Sequence, residues 1–183
     1  MHDMIIALHL FVIGVLAGLV HILSLFVIPP AMETDVFARL SRLAPDGLHI
    51  VAPVEARALP FADPSVAMAV CRYDLAAGPF RVRTGLSETF LAVVFAEEGR
   101  GIFSSVSDRA ATSGALDVVL ATQAQLDRMA LLDDGTEAIE EIRVTANRTR
   151  GIAILKVLVD RPSSRETAEE VLRNARCDSE TLP

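Results

Sequence analysis

The sequence lacks most of the short patterns that announce catalysis. It has no G-x-S-x-G turn, no C-x-x-C, no H-E-x-x-H and no phosphate-cradling glycine loop, so serine hydrolysis, a zinc site and nucleotide binding have no motif behind them. Histidine is scarce as well. Outside the apolar N-terminal stretch and the tail before it, His49 is the single one. A serine or cysteine nucleophile needs a base beside it, and His49 would have to fill every such role; it is read instead as a hydrogen-bonded structural residue. Lysine occurs once, at Lys156, against sixteen arginines. The tail Met1-His2-Asp3 holds neither, so the basic region that opens a cleavable signal peptide is missing. These absences lead us to expect no catalytic residue, no metal ligand set and no cofactor.

What is present begins with a long apolar run. Met4 to Ile28 is 25 residues without a formal charge, about 37 Å of helix at ~1.5 Å per residue against a hydrocarbon core of about 30 Å. Pro29-Pro30 should stop that helix, because neither supplies a backbone N–H. Residues 1–30 are therefore expected to be a membrane anchor and 31–183 a separate domain. Within the anchor Gly14, Gly18 and His21 share a helical face along which a second membrane helix could approach. An ionisable side chain at such depth is costly unless it faces protein, water or headgroups. Arg39 and Arg42, counted alone, would place the domain in the cytoplasm.

Net charge is −7, and the acidic pairs Glu97-Glu98, Asp133-Asp134 and Glu140-Glu141 are read as solvated surface. Phosphate backbones would be repelled, which argues against a nucleic-acid partner.

The domain reads as mainly β, a sandwich or jelly-roll-like core with short capping helices. Val36, Phe37, Leu40 and Leu43 share a face behind Thr34 as N-cap, a short helix ending near Pro45-Asp46-Gly47. Leu48 to Pro64 contains three prolines and should be irregular with short edge strands. Ala69 to Leu75, turn residues 76–79, and the alternation of Phe80, Val82 and Thr84 with Arg81 and Arg83 suggest a hairpin. Phe90 to Phe95 and Ile102 to Val106 suggest a second. Leu116 to Leu120 and Ile142 to Val144 add strands, and Ile152 to Val159 should be a central one. Capping boxes are expected at Thr122/Gln125 and Ser163/Glu166, the latter opening a terminal helix that buries Ala168, Val171, Leu172 and Ala175.

The polar residues best suited to a ligand are Arg72, Asp74, Arg81, Arg83, Asp108 and Arg109. In a hairpin Arg72 and Asp74 would share a face, as would Arg81 and Arg83, and arginine forks could converge on a carboxylate or phosphate. Cross-strand ion pairing on an exposed sheet face is the plainer alternative.

Several stretches carry a family resemblance. Gly18-Leu-Val-His-Ile22 in the anchor, Ala69-Val-Cys-Arg-Tyr-Asp-Leu75 followed by Gly78-Pro79, Ser107-Asp-Arg-Ala110 and Ala175-Arg-Cys177 resemble small membrane-anchored bacterial proteins of domain-of-unknown-function family 1254. The resemblance implies a β-rich fold facing the periplasm from the inner membrane, and a partner from the related family 1214. The chain departs from the family pattern at Phe90–Phe95, where an aromatic-rich run is expected, and at Ser107, where asparagine is. Cys71 and Cys177 both fall in resembling stretches, and a disulfide between them is expected, as a periplasmic domain permits the bond.

The expected role is a non-catalytic, membrane-anchored subunit of a bacterial cell-envelope complex, with the helix and the domain both contacting partners. A periplasmic module for an anionic envelope ligand is the alternative, and an enzyme of unread reaction the third.

Overall fold

The structure, a computed structural model, describes residues 2–44, 47–59, 62–111, 114–133 and 141–180, with backbone alone for residues 29–36. Helix α1 runs from His2 to Leu43, 42 residues without a break. The prolines therefore do not end it, and Thr34 lies inside it instead of capping a new helix. Pro29 and Pro30 each remove one i to i−4 bond, leaving the carbonyls of Leu25 and Phe26 without those donors. The loss falls where the apolar segment ends, and that is where polar surroundings can satisfy a carbonyl most readily. His2–Ile28 is long and apolar enough to cross a membrane, and none of the described residues buries it. The helix ends at Leu43; Pro45 and Asp46 lie outside the described residues.

Among the described residues nine strands form two sheets. The first has the order β1 (Leu48–Val51), β2 (Val66–Asp74), β8 (Arg150–Leu158), β4 (Leu91–Glu97), β5 (Gly101–Ser107), antiparallel throughout. The second has the order β7 (Ile142–Ala146), β6 (Ala115–Thr122), β3 (Phe80–Gly85), β9 (Arg176–Ser179). In it β6 and β7 are parallel, joined through helix α3 (Gln123–Leu132), and the other pairs are antiparallel; helix α2 is the single turn Pro53–Ala56 between β1 and β2. Thr122 caps α3 with its expected partner Gln125.

Burial explains which strands alternate. Ala153, Leu155 and Val157 of β8 face the second sheet and join a core with Val93, Phe95, Val82, Val118 and Leu120. Ile152 and Ile154, on its other face, pack with Val70, Val94, Leu40 and Ala44 beneath the end of α1. A strand covered on both sides reads as a continuous apolar run, and β8 is indeed central. By contrast β3 alternates: Phe80, Val82 and Thr84 are buried, while Arg81 and Arg83 point away from the core. Helix α4 (Arg165–Asn174) lies against β2, β3 and β8 and buries Ala168 and Leu172. It starts after Ser164, not at Ser163, and Ser164 Oγ bonds Asp160 Oδ1 at 2.7 Å.

The second expected hairpin forms: β4 turns into β5 through Gly99 (φ 71°) and Gly101 (φ 73°). The first does not, because β2 and β3 lie in different sheets and the turn at 76–79 carries the chain across the core between them. Tyr73 and Phe80, on either side of that turn, meet as rings 5.7 Å apart instead of as ladder partners. The chain is mixed helix and strand, with two sheets and a long N-terminal apolar helix. Cys71 of β2 and Cys177 of β9 are bonded, with Cα atoms 6.4 Å apart, so the disulfide ties one sheet to the other.

Candidate functional site

The outer face of β2 begins apolar and ends polar. Met68 and Val70 lie under the end of α1, and two residues on, where the helix no longer covers the strand, Arg72 and Asp74 are exposed. Arg72 donates through Nη2 to the Ser41 carbonyl near the end of α1. Asp74 Oδ1 accepts from Ala76 N at 2.9 Å and so fixes the turn toward the second sheet.

Register brings new residues to this spot. Asp74 stands opposite Arg150 and Tyr73 opposite Gly151 on β8, while Glu98 follows directly after β4. With Phe37 and Ser41 of α1 they line a cleft of about 370 Å³. Its floor depends on Gly151. Without a side chain there, the Tyr73 phenol lies over the backbone and points at the Ala96 carbonyl, 3.4 Å away. Burial, and then the negative charge of Glu97, hold that phenol protonated well above its ordinary range.

Glu97 is fully buried, which corrects the reading of Glu97-Glu98 as solvated surface. Its Oε1 accepts from Asn147 N at 2.7 Å and Arg148 N at 3.0 Å, so it holds the β7–β8 turn from which Arg150 departs. Of the other acidic pairs, Asp134 and Glu140 lie outside the described residues, and Glu141 is only partly exposed.

The six sequence-chosen residues fall in three places. Arg72 and Asp74 are in the cleft. Arg81 and Arg83 are on the outer face of the other sheet, since β2 and β3 are not paired. Arg81 makes a two-pronged contact with Asp117, Nε to Oδ1 and Nη2 to Oδ2, both 2.7 Å, and also reaches Glu141 (3.1 Å) and Glu180 (2.9 Å). Arg83 meets Asp117, its cross-strand neighbour, at 2.9 Å. These carboxylates occupy the forks that a ligand would need, and cross-strand pairing accounts for this face. Asp108 accepts from Leu91 N at 3.4 Å through Oδ2, beyond the end of β5, with Arg109 exposed beside it. Sequence reasoning missed Ser41, Glu98 and Arg150; only strand register joins them to Arg72 and Asp74. His49 sits 3.3 Å from Glu55 Oε2, and Glu55 also accepts from Ala52 N at 2.8 Å.

The arginine network gives a prediction. Burial pushes the Asp117 carboxyl up, but hydrogen bonds from Arg81 and Arg83 outweigh it and leave it below its ordinary value of 3.8. Arg81→Ala should cost about 1–3 kcal/mol in urea unfolding, as three carboxylates lose a partly buried cation. Arg83→Ala, with its side chain 56% exposed, should cost under about 1 kcal/mol. A depressed carboxylate contributes stability that is present above the unfolded pKa and lost as pH falls through the folded one. Arg81→Ala should therefore also flatten the loss of stability on acidification below the ordinary carboxylate range. Equal costs for the two variants would mean that the network is no more than solvated surface charge.

No family model matches the chain, and no curated protein matches it. Among solved structures it is similar to the VPA0106 protein from Vibrio parahaemolyticus, with a TM-score of 0.54 at 11% identity over 82% of this chain and 37% of that one. It is also similar to an uncharacterized protein from Burkholderia cenocepacia, with a TM-score of 0.51 at 14% identity over 81% of this chain and 38% of that one. At these identities the likeness is one of fold. The chain spans under two-fifths of the length of either protein.

Proposed function

We propose that the chain is a non-catalytic, membrane-anchored subunit of a bacterial cell-envelope complex, with α1 crossing the inner membrane and the two-sheet domain, a sandwich in this reading, contacting partners in the periplasm. The observation that carries the reading is the unburied apolar stretch His2–Ile28, continued in the same helix by turns that pack Leu40 on the first sheet. Whatever covers the first part of α1 is thereby linked to the domain. The Cys71–Cys177 bond supports an oxidising compartment, against the opposite topology favoured by Arg39 and Arg42. The solved relatives, which carry this fold within much longer chains, support a partner that supplies further domains. The family resemblance makes a member of family 1214 the first to look for.

Gentle detergent purification from the native host followed by mass spectrometry tests this reading. Stoichiometric membrane partners support it, and their absence overturns it. A Cβ added at Gly14 or Gly18 meets nothing within 4 Å in the chain alone, so Gly14→Leu or Gly18→Leu should leave the domain folded. If their face, with His21, packs on a partner helix, either change should reduce co-purification by separating the backbones. Unchanged co-purification in both variants would assign that face to lipid.

The second reading, a periplasmic binding module for an anionic envelope ligand, is favoured by the cleft, which holds Arg72 and Arg150. A lone chain purified with a bound lipid or sugar would support it.

A further inference from the structure

The charges in the cleft are balanced, and none is neutralised by a neighbour of opposite sign. Arg72 and Arg150 face Asp74 and Glu98, yet among the described residues no ion pair joins any of the four. Asp74 and Arg150 are cross-strand neighbours, a placement that ordinarily brings opposite charges into contact. The side chains of Arg150 and Glu98 make no hydrogen bond among the described residues either, Arg150 being held through its backbone in the β2–β8 ladder. Ser41 Oγ, on the helical wall, is buried and also makes none.

We infer that this cleft binds a small zwitterion, a molecule with a primary ammonium and a phosphate or carboxylate a few bonds apart. The ammonium would sit between Asp74 and Glu98, and the anionic group would take the open fork of Arg150, with Arg72, which already donates through Nη2 to the Ser41 carbonyl, contributing its remaining N–H groups. A simple anion would leave two carboxylates facing it, and a simple cation would leave two guanidiniums. The inference rests on the second reading above, that the chain carries a small-molecule site, and replaces its anion with a zwitterion. The cleft volume of about 370 Å³ is at the low end of small-molecule sites and suits a molecule of phosphoethanolamine or amino-acid size.

The same chemistry is found in a free solute and in an ethanolamine phospholipid headgroup. Phe37 and Ser41 lie about 14 and 20 Å along the helix beyond Ile28 at ~1.5 Å per residue, whereas the headgroup layer is about 5–8 Å thick. With the helix spanning, the cleft stands clear of that layer, and the free solute is the better fit.

Titration calorimetry on the full chain in phosphatidylglycerol nanodiscs tests the inference with O-phosphoethanolamine, ethanolamine and inorganic phosphate. The zwitterion should bind at least about tenfold more tightly than either single-charge probe. Arg150→Gln and Glu98→Gln, both at exposed positions, should each weaken it by about tenfold or more with thermal unfolding unchanged. Adding phosphatidylethanolamine to the discs should leave binding unchanged if the ligand is a solute; competition would keep the zwitterion site and assign it to the lipid. Phosphate bound as tightly as phosphoethanolamine would overturn the zwitterion and leave the anion reading standing. No binding by any probe, or binding untouched by both variants, would overturn the site itself.

Discussion

Replacing both Cys71 and Cys177 by alanine should lower the stability of the domain by about 3–5 kcal/mol in urea unfolding, with a steeper slope because the unfolded chain without the cross-link exposes more surface. The bond closes a loop of 106 residues in sequence separation, and chain-entropy reasoning gives about 4–5 kcal/mol for a loop of that length. Where the bond sits supports a cost near that figure. Cys71 is fully buried in the shared core, and Cys177 lies on β9, a four-residue strand at the edge of the second sheet. That strand has little else to hold it, being paired with β3 over four positions. Against a total of about 5–15 kcal/mol for an ordinary domain, such a loss should leave the reduced protein marginal at growth temperature. Alanine is the proper replacement, because serine would add an unsatisfied hydroxyl to an apolar core and confuse the two costs. A change under about 1 kcal/mol would show that the sheets are held by packing alone. Alkylation of both thiols in native membranes, before any lysis, would remove the argument for an oxidising compartment.

The parts of this architecture that were legible in the sequence are those set by local chemistry. Leu91–Glu97 and Gly101–Ser107 pair as expected because a short glycine-bearing turn joins two strands of matching length. Thr122 and Gln125 cap α3 because the capping box involves only four residues. What could not be read is what long-range register decides. The alternation of Phe80, Val82 and Thr84 is the same whether β3 pairs with β2 or crosses to another sheet, since either choice buries one face. Strand β9, Arg-Cys-Asp-Ser, shows no alternation of its own and becomes a strand only by pairing with β3. The expected ligand set failed for the same reason: Arg81 lies in one sheet and Arg72 in the other, while Arg150, 78 positions beyond Arg72 in the sequence, arrives beside Asp74 through the β2–β8 ladder.

Gly151 shows how a single residue can be misjudged this way, since in sequence it looks like punctuation before an apolar strand. In the structure it lies within β8, opposite both Tyr73 and Glu97. A Cβ at this position would fall 2.3 Å from the Ala96 carbonyl oxygen and 2.3 Å from the Tyr73 hydroxyl. The first contact is with backbone of the β4–β8 ladder, and the second with a fully buried ring tilted against Phe80. Neither can move far, so Gly151→Ala should destabilise the domain by about 2–4 kcal/mol, at or above the usual cost of overpacking. The expected result separates into two parts. Tyr73→Leu alone removes the phenol and opens a cavity, and should cost about 2–4 kcal/mol. Combined with Gly151→Ala it should cost less than the sum, because one of the two clashes is gone, and a coupling of about 1 kcal/mol or more is expected in a double-mutant cycle. Urea unfolding of the four proteins measures it. Strict additivity would mean that the Ala96 carbonyl alone excludes a side chain at 151, and that Tyr73 rests over the glycine without requiring it.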